Sequence, residues 1–306
     1  MTAIVCEGVH RHFGENPAVD GVDLVVQEHQ IFGLIGPNGC GKTTLLNQIQ
    51  GLDRPTSGTV SVLGLDPIRD HGQLMLRIGA QLQEATMIPR LTVREAISTF
   101  AGLYPRAQDV DLLIERVGLT GQARQRVERL SGGQRQRVFI ALAQVHEPEL
   151  LFFDELTSAV DPQARQAIWH SVRGLREQGR TILLTTHSME EAEALCDRIA
   201  IMDAGRIIAV GTPADLVAQH TDGAVLTLAL ADAALVDRAA LQTCPGVTSV
   251  TGQDGDLRVT GRGQFAPSVL SALAAQGVRV TGMHLDEPRL EDVFLALTGR
   301  SLRQEQ

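Results

Sequence analysis

The segment Gly36-Pro37-Asn38-Gly39-Cys40-Gly41-Lys42-Thr43 carries the residue types needed to hold a chain of phosphates. It fits G-x-x-x-x-G-K-[ST], the spacing of a phosphate-cradling loop that follows a strand and opens a helix. Its glycines let the backbone curl until successive N–H groups point inward at anionic oxygens. The helix that follows adds the partial positive charge of its N-terminus. Lys42 reaches the β- and γ-phosphates as a compact point charge. Thr43 offers a hydroxyl to Mg²⁺, and Thr44 is the next residue of the same turn. The chemistry implied is binding of a nucleoside triphosphate together with Mg²⁺.

A second constellation suits the breaking of the phosphate bond. Leu150-Leu151-Phe152-Phe153-Asp154-Glu155 is an apolar run ending in two carboxylates. Asp154, at the strand end, is placed to organise the metal's ligand shell. Glu155, one residue on, turns its side chain the other way, toward an attacking water. Alone, such a pair usually marks a solvated strand end; beside a phosphate loop the catalytic reading prevails.

Composition agrees with this chemistry and excludes others. The chain has 306 residues, enough for two domains. It is 43% apolar and 21% charged, which is ordinary globular usage. Acidic residues outnumber basic ones 36 to 27, a net charge of −9 that argues against gripping nucleic acid. All the basic residues are arginine except Lys42. Arg serves for ordinary surface charge, but a flat guanidinium does not fit under a phosphate loop. The start of the chain lacks a basic segment followed by an apolar run, so no signal peptide is expected. The longest apolar stretch, 224–236, contains Asp232 and falls short of the ~20 residues that span a bilayer. Cys6, Cys40, Cys196 and Cys244 lie far apart, so neither a zinc site nor a disulfide framework is expected, and reduced thiols in a cytosol are the default.

These residues need a scaffold that fixes them at one edge. The runs 31–35, 150–153 and 181–185 read as buried strands ending in polar or glycine-rich residues, where an α/β sheet places its chemistry. The alternating runs 4–9 and 23–26 suggest an antiparallel flank. A helix is expected over 42–50. The region of about 85–147 reads as mostly helical, with capping boxes at Thr92-x-x-Glu95 and Ser131-x-x-Gln134. The second of these helices should bury Val138, Ala141, Leu142 and Val145 and stop at Pro148. Beyond residue 214 the pattern changes. Strands are expected at 225–230, 247–251, 256–260 and 278–283, with a turn at 253–255. Helices are expected at 232–242, 266–276 and 290–298. The fold class is therefore α/β over residues 1–214, with a small α+β domain at 215–306.

Leu130-Ser131-Gly132-Gly133-Gln134 lies between the two constellations and opens a helix just upstream of the D-E strand. In that order it resembles the signature of ATP-binding-cassette (ABC) ATPases, and the first 212 residues resemble one cassette throughout. That family implies a mixed-sheet core, an antiparallel β flank and a helical subdomain. It also implies further roles. Phe13, in Arg11-His12-Phe13-Gly14, resembles the aromatic on which adenine stacks, with ordinary core as the alternative. Gln83 looks like the glutamine that touches Mg²⁺ and links the site to the helical region; Gln81 competes for this role. Ser158-Ala159-Val160-Asp161 resembles the loop that couples two sites across a dimer. His187 looks like the histidine that contacts the γ-phosphate and orients the water. Ser131, Gly132, Gly133 and Gln134 would cover the γ-phosphate of ATP bound to a second copy of the chain. Two copies would thus close head-to-tail around two ATP molecules.

Leu156 stands where the family usually has Pro, Ala159 and Val160 are mild replacements, and Cys40 replaces the usual Ala. A thiol beside a helix N-terminus is expected to have a lowered pKa and raised reactivity. The ending Leu290-Glu291-Asp292-Val293-Phe294-Leu295-Ala296-Leu297-Thr298-Gly299-Arg300 resembles the tail of daunorubicin-resistance-type ATP-binding subunits. The resemblance implies the energy subunit of an exporter of drugs or other hydrophobic compounds. It would work with a separate membrane permease at the cytoplasmic face of the membrane, and residues 89–95 would lie near the docking groove. The alternatives are a soluble ABC ATPase acting on ribosomes or DNA, and a binding module with dead catalysis. Such soluble relatives usually carry two cassettes or a long coiled coil before the signature, whereas here Ser131 follows Lys42 by only 89 residues. Lys42, Asp154, Glu155 and His187 are all present, which disfavours dead catalysis.

Overall fold

The computed structural model describes residues 1–81, 90–157, 160–252 and 255–299. Gln83, Ser158, Ala159, Pro89, the first two residues of the 253–255 turn and Arg300 lie outside them. Among the described residues the chain divides into two compact units, residues 1–213 and 214–299.

In the first unit, strands β1 (Thr2–Phe13), β2 (Asn16–Gln27) and β4 (Ser57–Val62) form an antiparallel sheet in the order β2-β1-β4. A second, six-stranded sheet contains β3 (Ile31–Ile35), β5 (Ile78–Gln81), β6 (Leu150–Asp154), β7 (Thr181–Thr186), β8 (Arg198–Asp203) and β9 (Arg206–Gly211). Its order is β5-β6-β7-β3-β8-β9, parallel except for β9. Helix α1 (Lys42–Ile49) lies in the core between the two sheets. There Leu45, Leu46 and Ile49 meet Phe32 and Leu34 of β3, Phe152 of β6 and Leu183 of β7. The alternate residues of these strands, among them Ile31, Ile35, Leu151, Phe153, Ile182 and Leu184, are buried as well. Both faces are covered, so these strands read in sequence as continuous apolar runs rather than alternating ones.

The helices of this unit are α2 (His71–Leu74), α3 (Val93–Ala101), α4 (Val110–Arg116), α5 (Gly132–Ala143), α6 (Pro162–Glu177) and α7 (Met189–Leu195). Both expected capping boxes form, Thr92 with Glu95 and Ser131 with Gln134. Helix α5 stops at Ala143, well before Pro148, and Leu142 is only half-buried while Val138, Ala141 and Val145 are buried. Glu147, with φ 57°, turns the chain before the proline can act.

The second unit contains α8 (Pro213–His220), β10 (Ala224–Leu230), α9 (Arg238–Gln242), β11 (Val247–Thr251), β12 (Asp256–Gly261), α10 (Phe265–Ala275), β13 (Val280–Asp286) and α11 (Leu290–Thr298). Its sheet is antiparallel, in the order β11-β12-β10-β13. The core joins Leu226, Leu228, Leu257 and Val259 to Leu241, Phe265, Val269 and Leu273. Two expectations need correction here. The helix at 232–242 is broken into a 3₁₀ turn at Ala233–Leu235 and α9, because Asp237 caps the N–H of Ala240 at 3.1 Å and starts a new helix. The last strand begins two residues later than expected, because Val278 is buried in the core after the left-handed turn at Gly277.

Candidate nucleotide site

Neighbouring strands β5, β6, β7 and β3 all run in the same direction, so their C-terminal ends form one edge. Register places Gln81 beside Phe153, Asp154 beside Thr185, and Thr186 beside Ile35. The crevice outside the carboxyl ends of a parallel sheet is where α/β folds bind ligands. The loop 36–41, Asp154-Glu155 and His187 all leave the sheet at this edge.

The loop after β3 needs its glycines for two separate reasons. A Cβ on Gly36 would lie 2.2 Å from the Met202 carbonyl oxygen, and one on Gly41 would lie 2.1 Å from that of Ala18. Gly39 and Gly41 also take φ values of 76° and 106°, where a side chain is strained. Gly41 is the N-cap of α1 and has no side chain to satisfy the first N–H groups of the helix. Those donors are therefore left for an anion. The Lys42 ammonium is buried and donates to the carbonyls of Gly36 and Pro37 at 2.9 Å each, so it is drawn in under the loop. A cavity of about 320 Å³ opens here, lined by Ala18, Asn38, Gly39, Gly41, Lys42, Thr43, Thr44 and Glu155.

Asp154 is buried and accepts a hydrogen bond from the Thr185 hydroxyl. Burial pushes its carboxyl above the usual range; the Thr185 bond and the Lys42 charge pull the other way, while Glu155 adds to the rise. A hard divalent cation takes oxygen ligands, and a buried carboxylate raised by desolvation suits such a partner. Glu155 has a left-handed backbone, φ 50°, held by its N–H donating to the carbonyl and hydroxyl oxygens of Thr185 at 3.1 and 3.3 Å. Its Oε1 lies 3.3 Å from Nδ1 of His187. That pairing joins two residues 32 positions apart at the mouth of the cavity.

Phe13 ends β1 and is 55% exposed, so it is not core. The Arg11 guanidinium sits 4.6 Å from its ring centroid and is anchored by Asp53 at 2.7 Å. Ser131 caps α5: its hydroxyl oxygen accepts from Gln134 N–H at 3.3 Å, and the Gln134 side chain accepts from Ser131 N–H at 3.0 Å. Ser131 and Gly132 are exposed. Gly133 is buried against α6, where a Cβ would meet that of Ala164 at 2.3 Å. None of residues 131–134 lines the cavity, nor does Phe13. Gln81 is buried at the end of β5. Asp161 serves as the N-cap of α6, accepting from Ala164 N–H at 2.9 Å.

The expectation for Cys40 is overturned. Its thiol is buried beneath the loop, and burial raises its pKa, outweighing the Lys42 charge and the nearby backbone N–H groups that lower it. The helix terminus was visible in the sequence; the burial was not. Sequence reasoning also missed Ala18 and Thr185, which touch the loop and Asp154 from distant segments.

The fold and this edge define a P-loop ATPase cassette. Residues 19–158 match the family model described as ABC transporter. The chain is 39% identical to the daunorubicin resistance ATP-binding protein DrrA3 of Streptomyces coeruleorubidus, over 99% of this chain and 98% of that one. It is 34% identical to the linearmycin resistance ATP-binding protein LnrL of Bacillus subtilis, over 97% and 98%. It is 39% identical to the Nod factor export ATP-binding protein I of Cupriavidus metallidurans, over 99% and 100%. Among solved structures, an ATP-binding subunit of an ABC transporter matches with a TM-score of 0.64 at 26% identity, covering 71% of this chain and 93% of that one. A dimeric, post-hydrolysis ATP-binding cassette bound to ADP and phosphate matches with a TM-score of 0.61 at 28% identity, covering 68% and 98%. The chain belongs to the ATP-binding subunits of ABC transporters, and its activity is ATP hydrolysis coupled to transport.

Proposed function

We propose that the chain powers an exporter of drugs or other hydrophobic compounds. The observation that carries this reading is the 39% identity to a daunorubicin resistance subunit across both units, not the cassette alone. Among the described residues no helix is long and apolar enough to cross a membrane, so a separate permease would form the path. The chain would sit at the cytoplasmic face of the membrane, bound to that permease, without nucleic acid.

The loop 36–41 with Lys42, Thr43 and Thr44 binds the phosphates of ATP, and Phe13 stacks on adenine from the face opposite Arg11. Thr43 and Asp154 hold Mg²⁺, which neutralises phosphate charge when bound; Gln83 belongs to the same proposal. Glu155 orients or deprotonates the attacking water, and His187 fixes the carboxylate that does so. Ser131 and the N–H groups of Gly132 and Gly133, with Gln134 bracing the turn, close over the γ-phosphate bound to a second copy. The exposure of Ser131 and Gly132, and the place of all four residues outside the cavity, support donation across a dimer. Closure and reopening of that dimer move the permease.

The test is a Glu155→Gln variant with MgATP. It should bind ATP, lose hydrolysis by about 10²-fold or more, and accumulate as a dimer in size-exclusion chromatography. Hydrolysis at the parent rate would remove Glu155 from its role. Co-expression with a candidate permease should then give drug-stimulated ATPase activity; ATPase activity indifferent to every hydrophobic drug tried would count against the cargo.

A further inference from the structure

The carboxylate of Glu191 is 1% exposed, and its partners come from separate segments. Its Oε1 accepts from the Thr157 hydroxyl at 2.7 Å and from Trp169 Nε1 at 3.2 Å. Its own N–H donates to Ser188 Oγ at 3.3 Å. Thr157 and Trp169 are themselves buried. A carboxylate taken out of water is costly unless its hydrogen bonds repay the desolvation. A group of this kind placed beside a reaction site needs a reason.

The reason lies in what the bonds join. Thr157 is two residues beyond Glu155, and Ser188 directly follows His187. The intervening Leu156 is buried, so this stretch has little freedom between its ends. Glu155 is pinned to β7 through Thr185, and Thr157 is pinned to α7 through Glu191. Trp169 supplies a fixed post on α6, whose Ile168 and Val172 are buried beside it. A carboxylate acceptor makes the bonds from Thr157 and Trp169 stronger than a neutral one would.

We propose that Glu191 is a positioning residue that locks the segment after Glu155 to the segment after His187, and so sets the 3.3 Å approach of Glu155 Oε1 to His187 Nδ1. This rests on the roles proposed above for Glu155 and His187. Small misplacements at a reacting centre lower the rate without weakening ground-state binding.

The experiment uses the full chain with Glu191→Ala, Glu191→Gln and Thr157→Val, measuring kcat, KM and ATP affinity. Glu191→Ala and Thr157→Val should lower kcat by about 10- to 100-fold while KM and ATP affinity stay within about twofold. Glu191→Gln keeps a carbonyl oxygen able to accept both bonds, so it should recover most of the rate. The protein has one tryptophan, so emission reads the Trp169 bond directly. Emission should shift in Glu191→Ala and stay put in Thr157→Val. Placed in a Glu155→Gln background, Glu191→Ala should cost no further hydrolysis, because it acts through Glu155. An unchanged kcat in folded Thr157→Val, or a loss of ATP affinity that matches the loss of kcat, overturns the proposal. Should Glu191→Ala fail to fold, Thr157→Val decides alone. The single Glu155→Gln variant tests the underlying role of Glu155 separately.

Discussion

The two sheets of this protein bury their strands in different ways. In the six-stranded sheet, β3, β6 and β7 are buried on both faces along their whole length. In the four-stranded sheet, the helices α9 and α10 pack one face, β10 is only partly buried, and every residue of β13 is exposed. A strand clamped from both sides cannot shift without opening a close-packed core. The residues at its end inherit that rigidity. The loop 36–41, Asp154-Glu155 and His187 leave just such strands, whereas Phe13 ends β1 and residues 131–134 open α5. The lesson is that the proposed phosphate chemistry draws its loop and carboxylates from the most deeply buried strands.

The sharpest way to break this contrast is to damage the second core. Phe265 is fully buried at the centre of the four-stranded sheet's core. Phe265→Ala should destabilise that unit by about 3–5 kcal/mol, measured by denaturant unfolding, yet leave ATP affinity intact. A parallel fall in ATP affinity would show that the scaffold of the site is not confined to the first unit. The next effect is electrostatic. Lys42→Ala should weaken ATP binding by about 10- to 100-fold, the worth of hydrogen bonds to a charged group, with little change in far-UV circular dichroism. Unchanged affinity would remove the central feature of the loop.

The smallest expected effect is a rank order of thiols. Cys6, Cys40 and Cys196 are buried and Cys244 is partly exposed. A maleimide should label Cys244 first, and mass spectrometry would show it; Cys40 reacting as fast would refute its burial. Burial also pushes the Cys6 thiol up to about 12 from 9.0. Above pH 9.0 the unfolded chain sheds a proton that the folded chain keeps until about pH 12. Stability is therefore lost as pH rises through that window. A first unit as stable at pH 11 as at pH 8 would contradict this.

Much of the site is visible in the sequence because it is local. Residues 36–44 are contiguous, and their spacing fixes a backbone curl followed by a helix start. The capping boxes at Thr92 and Ser131 are equally local and form as expected. Periodicity fails where a cap or a turn interrupts it. Asp237 divides what reads as one helix, and Gly277 sends Val278 into the core before β13 begins. Cys40 shows the same limit at the site: its neighbours in sequence predict activation, and its neighbours in space impose burial.

The sequence by itself determined the residue types proposed for the reaction. It supplied the one lysine, the paired carboxylates, the histidine and the glycines that only a phosphate loop requires. The loop and the paired carboxylates are legible because short-range geometry dictates them, whereas His187 is read only from the resemblance to the family. Only the tertiary structure decided their distances. It set Asp154 against Thr185, Glu155 against His187, and Thr157 and Trp169 against Glu191 across separations of 22 to 34 residues. Those contacts depend on strand order and on the packing of α6 and α7. Strand order follows from how the whole core closes, which no local pattern encodes.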